Sequence, residues 1–177
     1  MPAAAAQTVE EAIEVAVPVH TAYNQWTQFK TFPRFMRWVK GVEQIRPNLT
    51  RWEVGTGWAT WTYMAEVVEQ HPDELIAWQG LGRWAGLRGE VEFHTLAPNR
   101  TRIVVRLRSL ARPTRRHLLH RSPVTPRLIR AELARFKQFI EGVGQESGAW
   151  RGVIRKGQVR PQEEKPARSL VAGWPVG

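Results

Sequence analysis

Residues 10–36 read EEAIEVAVPVHTAYNQWTQFKTFPRFM, and this stretch decides the fold. Its first part alternates apolar and polar residues, with Ile13, Val15 and Val17 on one face, which predicts a β-strand that Pro18 ends. HTAYNQWTQF then predicts a short helix. FPRFMRWV predicts a second one, because its proline falls in the first turn, where the missing N–H costs nothing. The chain therefore begins as one strand followed by two short helices.

Six further strands and one long helix are predicted after this opening. The strands cover 42–46, 51–55, 58–70, 74–79, 88–96 and 101–110. Short Pro-, Gly- and Asn-containing links between them indicate an antiparallel meander. The segment PRLIRAELARFKQFIEG at 126–142 predicts an amphipathic helix, with Leu133, Phe136 and Ile140 on one face. We therefore expect an α+β fold in which a curved antiparallel sheet of about seven strands wraps around a long C-terminal helix.

Length and composition narrow the class of protein. A chain of 177 residues is most simply one domain with a real core, and its lack of cysteine excludes disulfides and thiolate metal sites. No apolar run approaches the ~18–20 residues that are needed to cross a bilayer. The first residues also lack the basic segment with which a secretory signal begins. We expect a cytoplasmic protein, with peripheral membrane binding left open. The predicted organisation is a flexible N-terminus (1–9), one domain (10–142) and a basic, Gly/Pro-rich, disordered tail (143–177).

Charge is divided sharply along the chain. Residues 1–100 hold nine Lys/Arg against eleven Asp/Glu, whereas residues 101–177 hold seventeen against five. Such a basic block usually meets an anionic partner, although it can also be a solvated face. Four arginines in the link before the long helix are the candidate docking residues for an anionic membrane surface, an acidic protein or an acidic ligand group: Arg112, Arg115, Arg116 and Arg121.

The segments AIEVAVPVHTAYNQWTQFKTFPRFM, AEVVEQHPDELIAWQ, GEVEFHTL and AELARFKQFIEG together resemble one protein family. They are similar, in this order over about residues 10–142, to the polyketide cyclase/dehydrase and coenzyme-Q-binding branch of the START-like (SRPBCC) superfamily. The resemblance implies a helix-grip fold with a deep pocket between the sheet and the long helix. It also implies that the pocket binds lipids, quinones or polyketides.

Strand alternation and the short helices direct many aromatic side chains toward this interior. A group of this kind favours a flat or extended apolar ligand, but it also suits a tightly packed core. The Gly-rich connection at 80–89 is expected at the pocket rim, with Trp84 as a lid. The candidate ligand-binding residues are Phe32, Phe35, Trp38, Trp61, Tyr63, Trp78, Trp84, Phe93, Leu133 and Phe136.

Few residues are candidates for catalysis. Tyr63 is the titratable group predicted to point inward, and Glu132 lies near the edge of the helix's inner face, where an ion pair with Arg135 is the alternative. His117 and His120 in HLLH have no third ligand at metal spacing, so neither a metal nor a cofactor is expected.

Three functions remain open. The leading hypothesis is a non-enzymatic binding or carrier protein for a hydrophobic small molecule such as a lipid, a quinone or a polyketide-like compound. The second is a polyketide aromatase/cyclase. The third is an accessory protein that docks on an acidic assembly, although no base-reading motif supports nucleic acid as the partner. Oligomeric state is not predicted.

Overall fold

The computed structural model describes residues 7–109 and 125–160, and its elements follow the predicted order. They are β1 (Gln7–Val15), α1 (Val19–Thr27), a first 3-10 helix (Phe29–Arg34), β2 (Val39–Arg46), β3 (Leu49–Thr56), β4 (Ala59–His71), β5 (Leu75–Gly80), a second 3-10 helix (Gly82–Trp84), β6 (Leu87–Ala97), β7 (Arg100–Ser109), α2 (Pro126–Val143), β8 (Val153–Arg155) and β9 (Gln158–Arg160). The second of the two short helices is thus of the 3-10 type. The expected α+β helix-grip fold is confirmed.

One curved, open sheet contains all nine strands. Seven of them form an antiparallel path in the order β1-β7-β6-β5-β4-β3-β2, while β8 pairs with β4 and with β9. The expectation of about seven strands was too low, because the two additional strands come from a segment that was predicted to be disordered. That segment is the main difference between expectation and structure.

Helix α2 packs its apolar side against the sheet. Thr125 caps its N-terminus by accepting a hydrogen bond from the Leu128 N–H at 3.1 Å. The helix ends at Gly144, whose φ of 73° is left-handed, and therefore runs slightly beyond the predicted end at 142. Its inner face carries the predicted core residues Leu133, Phe136 and Ile140, together with Ile129.

The fold partly cancels the charge division along the chain. Strand β7 lies between β1 and β6, and Arg106 on its outer face contacts Glu10 of β1 and both Glu90 and Glu92 of β6. On α2, Arg130 pairs with Glu11 at 2.9 Å. Much of the acidic first half is therefore used to neutralise arginines of the second half.

Residues 144–160, here named the C-terminal strap, are ordered. They end in a short hairpin of β8 and β9, and β8 pairs with β4. The pairing of β3 with β4 ends at Leu49 and Glu66, which leaves the far part of the β4 edge open. Strand β8 covers that edge by pairing Ile154 with Gln70, and Ile154 is fully buried. The prediction of a disordered tail is therefore wrong for 144–160, because these backbone groups complete an unpaired strand edge. Residues 161–177 lie outside the described part of the chain, and so do residues 1–6 of the predicted flexible N-terminus, whose last three positions belong to β1.

The hairpin turn of the strap consists of Lys156 and Gly157. Both have positive φ, 49° and 73°, as a two-residue turn between antiparallel strands of type I′ requires. The Gly157 N–H donates to the Val68 carbonyl at 3.0 Å, and the Asn48 side chain donates to the Gly157 carbonyl at 3.0 Å. The turn is thereby fixed to both β4 and the β2–β3 connection.

The strap also donates hydrogen bonds to two buried polar side chains of α1. The Ser147 N–H donates to the Gln25 side chain at 2.8 Å, and the Trp150 N–H donates to Thr27 Oγ1 at 3.0 Å. Both Gln25 and Thr27 are buried. The Ser147 N–H thereby satisfies the Gln25 side-chain oxygen, which would cost about 1–3 kcal/mol if it were buried without a partner, whereas the Trp150 N–H adds to the bonds that Thr27 Oγ1 makes with Asn24 and Gln28.

Arg151 ties the strap to the β4–β5 connection. Its guanidinium forms two parallel hydrogen bonds with the Asp73 carboxylate, at 2.8 and 3.0 Å, and donates to Asn24 Oδ1 at 2.8 Å. It also lies over the Tyr23 ring, 5.6 Å from the centroid. Burial raises the pKa of Tyr23 to about 12, against the opposing effects of Gln70 and Arg151, so this hydroxyl stays protonated at neutral pH.

Candidate functional site

The deep part of the space between α2 and the sheet is filled by contacting rings. Phe136 of α2 packs on Trp26 at 5.0 Å and on Phe35 at 5.3 Å between ring centroids, and Trp26 also contacts Phe32 and Phe93. All five rings are buried. Of the predicted ligand-binding residues, five therefore lie in the packed core: Phe32, Phe35, Phe93, Leu133 and Phe136.

Toward the outside, a second group of rings is only partly buried. Trp52 and Tyr63 are stacked with an interplanar angle of 14° and centroids 6.2 Å apart, and Trp84 packs on Tyr63 at 6.3 Å. We call Trp52, Tyr63 and Trp84 the aromatic stack. Trp52 contacts Phe32 at 5.3 Å, so the stack continues directly from the core toward the rim.

Trp52 was not among the predicted site residues. Its signal lay in the alternation of β3, where the buried residues Thr50 and Val54 flank it at two-residue spacing and place all three on one face. Cross-strand pairing then sets Trp52 beside Tyr63.

The remaining predicted tryptophans occupy different environments. Trp38 and Trp78 are partly buried against the core, and the Trp78 ring fills the space that a side chain at Gly89 would need, since a Cβ there would lie 2.3 Å from Trp78 Cζ2. Trp61 is on the same face as Tyr63 but is 41% exposed at the start of β4. Trp58, in the turn before β4, is 96% exposed.

Two further buried polar atoms, on Trp84 and on α2, have no hydrogen-bond partner among the described residues. One is the indole Nε1 of Trp84, and the other is Oε2 of Glu132 on the inner side of α2. Glu132 is 8% exposed, and its other oxygen accepts from Arg135 Nη1 at 2.6 Å. Glu132 therefore faces inward and forms the ion pair with Arg135 that the sequence offered as the alternative, while a role in catalysis stays a prediction.

Burial is the main influence on the titration of Glu132 and Tyr63. It raises the pKa of the Glu132 carboxyl, although Arg135 and the nearby amides of Trp38 and Arg37 oppose the shift. Burial likewise raises the pKa of Tyr63, so its hydroxyl is protonated at neutral pH and is available as a hydrogen-bond donor. The interior side of this site therefore offers donors, one acceptor and aromatic faces.

Several sequence predictions fall outside the described residues. These include the docking arginines Arg112, Arg115, Arg116 and Arg121, and the histidines His117 and His120. Among residues 7–109 and 125–160, no three His, Asp or Glu side chains cluster as a metal site would require. Over the same ranges, no helix has the length and apolarity to cross a bilayer.

Comparison with known proteins gives one close relative and several solved structures of the same fold. An uncharacterized 17.2 kDa protein of Streptomyces lincolnensis is 42% identical over 146 residues, which is 82% of this chain and 97% of that protein. A crystal structure from Deinococcus radiodurans is 27% identical with a TM-score of 0.58, over 77% of this chain and 98% of the other.

Two further structures carry informative names. A START superfamily protein from Mycobacterium smegmatis is 17% identical with a TM-score of 0.59, over 77% of this chain and 95% of the other. The Zhui aromatase/cyclase of a Streptomyces species is 21% identical with a TM-score of 0.54, over 78% of this chain and 88% of the other. Likeness at this level of identity shows the fold.

The family is shown by the sequence match itself. Residues 15–119 match the family described as polyketide cyclase/dehydrase and lipid transport, which covers more than half of the chain. The resemblance inferred from the opening segment and the ending helix is thus confirmed. The chain belongs to the polyketide cyclase/dehydrase and lipid transport family, and it shares its fold with a START superfamily protein.

Proposed function

We propose that the protein binds or carries a flat, hydrophobic small molecule of the lipid, quinone or polyketide-like class at the aromatic stack. The observation that carries this proposal is the partly buried aromatic stack together with the buried, unpartnered indole N–H of Trp84; a second unpartnered atom, Glu132 Oε2, lies on the inner side of α2. Buried polar groups are normally paired, and those that are not often face a ligand or a water. The family match supports the same class of ligand.

The chemistry of the two atoms defines what the ligand should contain. The Trp84 indole N–H is a donor only and suits a carbonyl or quinone oxygen, whereas the Glu132 carboxylate accepts a hydrogen bond and suits a hydroxyl. Aromatic stacking adds about 0.5–1.5 kcal/mol for each ring pair. A flat molecule that carries a carbonyl oxygen would satisfy the aromatic stack and the Trp84 N–H together.

Binding at the stack requires room, and Trp84 is the residue that can provide it. It ends the short 3-10 helix Gly82–Trp84 between β5 and β6, and its ring packs on the Tyr63 ring with centroids 6.3 Å apart. Outward movement of this turn would uncover the Tyr63 ring without disturbing the core rings around Phe136. Trp84 would then act as the lid that the sequence predicts.

The test is native mass spectrometry of the purified protein, followed by solvent extraction and identification of what co-purifies. A stoichiometric lipid, quinone or polyketide-like molecule is the expected result. A Trp84→Phe variant keeps a ring but removes the N–H, and we expect about tenfold weaker binding, since one hydrogen bond contributes about 1.4 kcal/mol. Trp58→Phe is the matched control, because Trp58 is almost fully exposed. An empty protein that takes up nothing from a lipid and quinone panel would contradict the proposal.

A second candidate function is a polyketide aromatase/cyclase. It is favoured by the buried carboxyl of Glu132, whose raised pKa and unpartnered oxygen suit proton transfer, and by the protonated hydroxyl of Tyr63. In a reconstituted polyketide synthase reaction, this function requires that the protein change the product pattern and that Glu132→Gln and Tyr63→Phe reverse the change. Ligand binding with an unchanged product pattern supports the carrier function instead.

A further inference from the structure

We infer that the protein has a second ligand site, separate from the aromatic stack, which binds a small aromatic carboxylate carrying a hydroxyl group. The site is a cleft of about 510 Å³ between the first 3-10 helix, the β2–β3 turn and the strap. This volume lies within the range of about 300–1,000 Å³ that is usual for small-molecule sites. None of the residues of the aromatic stack lines it.

The charge of the cleft points to an anion. Lys30 of the 3-10 helix and Arg46 at the end of β2 both line it, and no acidic side chain does. Both cations are exposed, and neither forms an ion pair with any residue of 7–109 or 125–160. Two unneutralised cations at the rim of one concave site favour a carboxylate there.

The apolar walls point to a ring. Phe29 lines the cleft from the 3-10 helix, and Trp150 lines it from the strap. Ile45 adds apolar surface and is 42% exposed. An aromatic ring is the ligand group that covers such surfaces at low cost in conformational entropy.

The floor of the cleft supplies a specific hydrogen-bond acceptor. Gln70 lines the cleft, is 1% exposed, and donates from Nε2 to the Tyr23 hydroxyl at 3.0 Å. Its Oε1 is buried and has no partner in the described part of the chain. A ligand hydroxyl that donates to Oε1 would remove this unsatisfied group. The cleft thus has a hydrogen-bond acceptor at its floor, aromatic rings at its sides and two cations at its rim. A hydroxyaryl carboxylate is the class of ligand that matches all three.

The strap is part of this site as well as of the fold. Ala149 and Trp150 form one wall, and Trp150 is held in place by its N–H bond to Thr27 Oγ1 at 3.0 Å. The family match ends at residue 119, before this wall is formed. This one wall of the cleft thus lies outside the region that matches the family, whereas the other lining residues lie inside it.

The experiment uses 6-hydroxy-2-naphthoate as the probe and its neutral amide, 6-hydroxy-2-naphthamide, as the matched compound. Binding to the full chain is measured by isothermal titration calorimetry, and the location is mapped by amide and indole NMR shifts. We expect the carboxylate to bind at least about tenfold more tightly than the amide, with a preference that weakens as salt rises from about 20 to about 200 mM. Shifts are expected at Lys30, Arg46 and the Trp150 indole.

The variants separate this site from the proposed interior site. Lys30→Gln/Arg46→Gln should weaken binding of the carboxylate at least about tenfold. The charge-matched control Lys40→Gln/Arg88→Gln alters two exposed cations outside the cleft and should have no effect. The inference is overturned if the acid and the amide bind equally, if neither binds at millimolar concentration, or if the control weakens binding as much. It is also overturned if Trp84→Phe, and not the cleft variant, abolishes binding, since the probe would then occupy the aromatic stack.

Discussion

Replacing Ile154 with alanine tests whether the strap is an integral part of the fold. Ile154 is a fully buried residue of the strap and pairs with Gln70 of β4. The substitution removes three carbon atoms, which corresponds to about 2.4 kcal/mol of transfer free energy at about 0.8 kcal/mol each. The cavity that remains adds to this, so we expect the free energy of unfolding to fall by about 3–4 kcal/mol.

The assay is urea denaturation followed by tryptophan fluorescence, together with a thermal melt. For a chain of this length, the loss corresponds to a decrease in Tm of roughly 6–15 °C. Ile154→Val should cost about 1 kcal/mol and thus give an intermediate value. Arg155→Ala, at an exposed position of the same strand, is the control and should stay within about 0.5 kcal/mol of the parent. If Ile154→Ala costs no more than Arg155→Ala, the strap is not seated in solution and the reasoning is refuted.

Three further predictions concern charged groups. Asp73→Asn keeps a residue type that tolerates the positive φ of 65° but removes the charge that faces Arg151. Urea denaturation should show that the free energy of unfolding falls by about 1 kcal/mol, and by less in high salt. An unchanged midpoint would contradict this prediction. Because the pKa of Glu132 is raised in the folded protein, the free energy of unfolding should fall as pH rises above the pKa of about 4.3 that the group has in the unfolded chain. Glu132→Gln should remove this fall, and parallel curves of stability against pH for the two proteins would disprove the prediction. At low salt, we expect the protein to sediment with phosphatidylglycerol vesicles but not with phosphatidylcholine vesicles, which are the control. Because each arginine contributes about 1 kcal/mol, this binding should be lost when four arginines are changed together to glutamine: Arg112, Arg115, Arg116 and Arg121. Retained binding would be the contrary result.

The order of elements could be predicted because each carries a strong local signal. Alternation in β1, the proline in the second short helix and the apolar face around Phe136 all survive in the structure. The strap could not be predicted in the same way, because its strands are only three residues long and are stabilised by β4 and α1. Only the Lys156–Gly157 turn between Val153–Arg155 and Gln158–Arg160 gave a local hint.

The candidate site was predictable to a similar degree. Alternation placed Tyr63 on the inner face, and the resemblance to a pocket-forming family suggested what that face could do. The sequence could not show which rings pack against one another, since Trp26 and Phe136 lie 110 positions apart and meet only in the fold. The unpartnered atoms of Trp84 and Glu132 are likewise products of tertiary packing.

The late position of the strap in the chain has a consequence for synthesis on the ribosome. When Val143 has emerged from the exit tunnel, the sheet and the long helix can already assemble, yet the edge of β4 beyond Glu66 has no partner until residues 153–160 follow. During that interval the nascent chain carries an exposed strand edge next to the buried polar side chains of α1. Expression fragments that stop at the end of the helix would keep this edge permanently open, and we expect them to aggregate where the chain through residue 160 stays soluble.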